Sequence, residues 1–125
     1  MRETPTARIA LSDRGVVCVW IRARAYQSIA DARQNLAAAL AAGDGRRRPL
    51  LVDISAARPL DAEVRHYYSG QVLVDGFSAL ALVVELSPLG AMMGNVYLRV
   101  ARPGIPTRLF TDDALALSWL ESHRA

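Results

Sequence analysis

The chain has 125 residues, of which 52% are hydrophobic and 22% charged, and a formal net charge of +3. At this length one domain spanning 1–125 is expected, able to bury roughly two thirds of its unfolded surface, and the composition excludes a disordered or low-complexity chain. All fifteen basic residues are arginine, and they lack the spread along one face, interleaved with aromatics, that nucleic-acid binding requires.

No apolar run reaches the roughly 18 residues of a membrane-crossing helix, and Met1 to Pro5 lacks the apolar segment of a signal peptide, so a cytoplasmic location is expected. Thr6 to Leu11 alternates as an edge strand. Ser12-Asp13-Arg14-Gly15 follows as a hairpin turn with glycine where positive φ is needed. Val16 to Ile21 is apolar on both faces and rich in β-branched residues, the pattern of a central strand. Its Cys18, the chain's one cysteine, is expected as a buried thiol without a disulfide partner in the chain. Ser28 and Asp31 make a capping box for a helix with a stripe of Ile29, Ala32, Leu36, Ala39 and Leu40, which Gly43 stops. Arg46-Arg47-Arg48 then fall in a glycine-bounded loop, either solvated or in contact with a phosphate or lipid headgroup.

Leu50 to Ile54 is a short buried strand that runs out at Asp53 and Ser55. After Ala56-Ala57-Arg58-Pro59 a helix begins at Asp61, whose carboxylate is expected to cap the first turn. That helix carries Val64, Tyr67 and Tyr68 and ends at Gly70 or Gly76. Phe77 to Glu85 is another buried strand. Ser87 and Pro88 open a helix in which Met92, Met93, Val96, Tyr97 and Val100 form the apolar face, the methionines expected mainly as core filling. Thr107 to Phe110 is a short strand, Thr111 caps the last helix ahead of Asp112-Asp113, and Leu115, Leu117 and Trp119 or Leu120 are its expected buried face. The order β-β-α-β-α-β-α-β-α predicts an α/β fold with a mostly parallel sheet and an antiparallel N-terminal edge.

Patterns that carry chemistry are sparse. A Gly-x-Ser-x-Gly elbow, a Gly-x-Gly-x-x-Gly loop and a Walker loop are all absent. His66 has only Glu63 near it, and His123 stands beside Ser122 and Arg124, which assembles neither a catalytic set nor a metal set. A non-enzymatic protein without a cofactor is therefore expected. In parallel sheets the polar groups just past the strand ends gather on one rim. Here these are Arg22 and Arg24 after the second strand, with Asp53, Ser55, Arg58, Asp61 and Glu63 at the Leu50–Val64 hinge. They serve either as an anion-binding rim or as caps and turn residues.

The hinge resembles that of STAS domains, the SpoIIAA-like anti-sigma factor antagonists, in which a strand ending in Asp-x-Ser leads to Asp-Ser-Ser-Gly at the next helix. Asp53 and Ser55 match the strand-end pair, and Asp61 matches the acid before the phosphorylated serine. Ala62 and Glu63 stand at the two serines and Val64 at the glycine, so serine phosphorylation cannot switch this site. Glu63 is either a fixed, weaker imitation of phosphoserine or an ordinary first-turn acid. The downstream runs Ser87-Pro88 to Asn95 and Pro106 to Leu120 are similar to an uncharacterised bacterial STAS/SEC14-like group. The resemblance implies a protein-interaction or regulatory module built on Asp53 to Tyr68. The alternative it implies is a SEC14-like binder of a small anionic ligand or lipid headgroup through Arg22, Arg24 and Arg58. The expected partners are a protein, a second copy of the chain as a homodimer, or a small anion.

Overall fold

A computed structural model describes residues 1–92, 95 and 104–123. Six strands form one sheet in the order β1-β2-β3-β4-β5-β6: β1 Arg2–Glu3, β2 Ala7–Leu11, β3 Val17–Ile21, β4 Arg48–Asp53, β5 Phe77–Val83 and β6 Thr107–Phe110. β1, β2 and β3 pair antiparallel, and β3 to β6 pair parallel, as the alternation of strands and helix-length segments predicts. β1 is an addition to the expected order. It consists of two exposed charged residues opposite Ile9 and Arg8, and no apolar alternation announces it.

The helices are α1 Ile29–Ala42, α2 Ala62–Tyr68, α3 Gln71–Gly76, a helical segment over 88–92 (α4) and α5 Asp113–Glu121. Neighbours in the parallel part of the sheet are neighbours in sequence, so crossovers of one hand place their helices on one face. That face holds Val17, Val19, Ile21, Leu50, Leu80 and Leu82 under Leu36 and Ala39 of α1, Tyr67 and Tyr68 of α2 and Leu73 of α3. α5 follows the last strand and covers the other face, where Ala116 and Leu120 cluster with Val16, Cys18, Leu51, Ala79, Ala81 and Val83. Side chains alternate between faces along a strand, and with both faces covered the central runs Val17–Ile21, 49–52 and 79–83 are apolar at every position.

Local details follow the sequence with instructive exceptions. Ser28 caps α1 as expected: its Oγ accepts from Asp31 N at 3.1 Å, and its own N donates to Asp31 Oδ2 at 3.0 Å. The helix after Asp61 stops before Gly70, one of its two expected ends, where Ser69 Oγ donates to His66 O at 3.0 Å, and an unexpected second helix runs on to Gly76, the other. Asp112 caps α5 in place of Thr111, accepting from Ala114 N at 2.7 Å. Leu115, expected in the core, is 63% exposed because α5 turns the pair Ala116 and Leu120 to the sheet, and Leu115 lies about 100° round the helix. Met92 is likewise exposed rather than core, and Met93, Val96, Tyr97 and Val100 lie outside the described residues. Ser87 does open α4, with its Oγ accepting from Gly90 N at 2.9 Å. Gly90 is obligatory there, since a Cβ would stand 2.2 Å from Glu85 O.

Cys18 is buried as expected, and desolvation, helped by the charge of Asp113, pushes its thiol up to about 11, which leaves it unreactive near neutral pH. No helix among the described residues is long and apolar enough to cross a membrane.

Candidate functional site

A parallel sheet opens a ligand crevice where its strand order reverses, and this order runs from β1 to β6 without a reversal. The loops past β3 and β4 are instead laced together. Arg24 N donates to Ala56 O at 2.7 Å, Arg58 N to Ala25 O at 3.1 Å, and Ala57 N to Ile54 O at 3.1 Å. Arg24 is held with φ at +60°, a left-handed conformation that a side chain rarely adopts and that its bond to Ala56 fixes. The hinge is thus a braced corner.

The seven rim residues divide into three groups. Arg22 turns away to the N-terminal segment, with Nη2 3.3 Å from Thr4 O and 3.4 Å from Glu3 Oε1. Arg24, Arg58, Asp61 and Glu63 all stand exposed on the corner. Asp61 occupies the N-cap position of α2 without capping it, because its carboxylate accepts a hydrogen bond from Tyr26 Oη, which raises the Tyr26 pKa. Glu63 and His66 are both exposed, and no ion pair joins them. Asp53 and Ser55 form a closed turn of their own: Asp53 Oδ1 accepts from Ser55 N at 2.9 Å and from Ser55 Oγ at 2.6 Å. The strand-end Asp-x-Ser therefore ends β4 by satisfying the chain locally.

Asp53 also meets a residue that the sequence presents only as a helix-start acid. Asp113, in the first turn of α5, accepts from Trp20 Nε1 at 3.2 Å through Oδ2, and its buried Oδ1 has no hydrogen-bond partner. Burial first, and the facing Asp53 carboxyl second, hold the Asp113 pKa above the usual aspartate value. A raised folded-state pKa gives stability that is present below the unfolded value and lost as pH rises through the folded one, so ionised Asp113 weakens the fold near neutrality. Asp113→Asn keeps the acceptor for Trp20 and offers Asp53 a donor. It is expected to stabilise the fold at pH 7 and to change it little below about pH 4, where the aspartate is neutral in both states, as urea titrations at the two pH values will show.

Two hollows adjoin the corner. A groove of about 130 Å³ lies between Ile54, Ser55 and Pro59 on one wall and Glu85, Leu89 and Gly90 on the other, with Leu89 itself exposed. Under α1 and α2 a cavity of about 40 Å³ is walled by Leu36, Leu50, Val52 and Leu82, with Gln27, Asn35 and Tyr68 on its polar side and Ile54 and Leu60 toward the hinge. A cavity lined by Met92, Met93 and aromatic residues beside the rim would support the SEC14-like alternative; Met92 does not line this one, and Met93 is outside the described residues. Burial pushes the Tyr68 hydroxyl up to about 12, so it stays neutral and donates to Gln27 Oε1. No signal in the sequence marks this polar wall, because Gln27 and Asn35 read as surface residues.

The family model described as a domain of unknown function, DUF7793, matches residues 9–124. A solved structure from Shewanella loihica PV-4, described as an uncharacterized protein from the DUF3478 family with a SpoIIAA-like fold, superposes with a TM-score of 0.59 at 16% identity, over 96% of this chain and 98% of that one. The chain therefore has the SpoIIAA-like fold that the hinge resemblance implied. No curated protein matches it.

Proposed function

We propose that this chain, which belongs to the DUF7793 family of domains of unknown function, is a non-enzymatic, STAS-like interaction module of the cytoplasm whose partner surface is the corner from Asp53 to Tyr68. One observation carries the proposal: the corner is pinned by backbone hydrogen bonds, yet presents Arg58, Asp61 and Glu63 to solvent beside the apolar groove at Leu89. Such a surface is preorganised, so a partner loses little ordering entropy there. Its charge is constitutive, because Glu63 occupies the position of the phosphorylated serine. Co-purification of wild type and Glu63→Arg, quantified by mass spectrometry, tests the proposal. Binding of the specific partner is expected to fall at least about tenfold in the variant, the range of a reversed charge at an interface, while thermal unfolding stays cooperative. A partner retained undiminished overturns the assignment.

The SEC14-like reading stands second, favoured by the cavity under α1 and α2. At about 40 Å³ it has room for only about three waters at roughly 10–15 Å³ each, so a lipid chain enters only if the helices part. Native mass spectrometry separates the readings, since a retained small molecule favours the second and a second copy of the chain extends the first.

A further inference from the structure

A cleft of about 720 Å³ opens at the opposite ends of the parallel strands, between the β2–β3 turn at Arg14 and Gly15 and the run Arg46-Arg47-Arg48 that leads into β4. Both walls are shaped by left-handed residues: Gly15 (φ +83°) in the turn, and Asp44 (φ +55°) and Gly45 (φ +75°) before the arginines. The positive φ favours glycine at position 15, and a Cβ there would stand 2.8 Å from Arg48 Nη1, so the turn approaches that guanidinium closely.

The arginines are positioned by neutral groups. Arg48 Nε donates to Gly43 O at 2.8 Å, and Arg47 donates to Val74 O through Nε at 3.2 Å and Nη2 at 2.9 Å. A carbonyl fixes the guanidinium plane without cancelling its charge. Among the described residues no carboxylate lies within 4.0 Å of Arg46, Arg47 or Arg48, while Arg14 reaches Glu121 at 3.8 Å. Among the described residues, Asp13 is the one acid lining the cleft. Three adjacent cations without an ion pair to any described acid repel one another, and an anion among them relieves that repulsion. Planar guanidinium donors fit tetrahedral oxyanions through paired hydrogen bonds, and two of these are already oriented.

We propose that this cleft binds a phosphate group, carried by a free phosphorylated compound or by a lipid headgroup. It lies at the other end of the strands from the Asp53–Tyr68 corner, so neither assignment depends on the other. The test uses the whole chain in low-salt buffer, with sodium pyrophosphate followed by calorimetry and phosphatidylcholine vesicles containing phosphatidylinositol 4-phosphate followed by sedimentation. Wild type is compared with the double variant Arg46→Glu/Arg47→Glu, and with Arg46→Gln/Arg47→Gln should the reversal fail to unfold cooperatively; both positions are exposed. Saturable pyrophosphate binding at one site, weakened at least about tenfold in the variant, supports the proposal with a free ligand. Sedimentation that needs the phosphorylated lipid and is lost in the variant supports it with a headgroup. Binding of neither probe, equal binding by the variant, or equal competition by sodium sulfate, which marks an adventitious ion only, overturns it. Glu63→Arg is expected to bind both probes as wild type does.

Discussion

Replacing Leu120 with alanine is expected to cost about 4 kcal/mol, near the top of the range for buried leucines. Leu120 is fully buried on α5, among Val16, Cys18, Leu51, Ala79, Ala81, Val83 and Ala116. Three of those neighbours are alanines, which have no rotamers to swing into the space, so the cavity term persists instead of relaxing away. The loss is a large share of a stability of roughly 5–15 kcal/mol. Urea denaturation should show the midpoint fall with the slope unchanged. A loss under about 1.5 kcal/mol would mean that α5 packs less tightly on the sheet than described.

The second large effect belongs to Asn35, which is 2% exposed. Its Nδ2 donates to Thr6 Oγ1 at 2.8 Å and to Gln27 Oε1 at 3.1 Å, and its Oδ1 accepts from Thr4 Oγ1. One side chain thereby ties the N-terminal segment to α1 and, through Gln27, to Tyr68 of α2. Asn35→Leu keeps the branched shape but is bulkier, and it strands the hydroxyl of Thr6 and part of Gln27, so a cost of about 2–3 kcal/mol is expected. Tyr68→Phe removes one donor while Gln27 keeps its bond from Asn35, and should cost about 1 kcal/mol. Hydrogen exchange adds a spatial check: Asn35→Leu should raise exchange in β1 and β2 more than in β5. Equal losses in the two variants would show that Asn35 is not the centre of the network.

This contrast marks where the sequence was legible. Period-two and fully apolar runs revealed β2 to β6, because each strand's alternation is set by the faces it must bury, and Ser28 with Asp31 revealed the start of α1. β1 carried no pattern, since an exposed edge of two residues buries nothing. Gly70 was one of the two stops that the sequence offered for α2, but nothing in the stripe of Val64, Tyr67 and Tyr68 announced that a second short helix, α3, runs on from there to Gly76. At the site, charge and position identified the corner's exposed residues, yet partners distant in sequence decided their roles. Tyr26 takes the Asp61 carboxylate from its cap, Glu3 and Thr4 hold Arg22, and Asp113 crosses from α5 to face Asp53. Each pairing spans a crossover or the edge of the sheet, and local spacing does not register it.

The most direct measurement of the central claim is amide hydrogen exchange of the chain alone and saturated with the partner that co-purifies with it. The proposal predicts that the slowing on complex formation concentrates at residues 54–63 and 24–26, the two loops laced by Arg24, Ala25, Ala56 and Arg58, and disappears in Glu63→Arg. Slowing confined to 12–16 and 43–48, or to α5, with the corner unchanged, would contradict it and move the partner surface elsewhere on the fold.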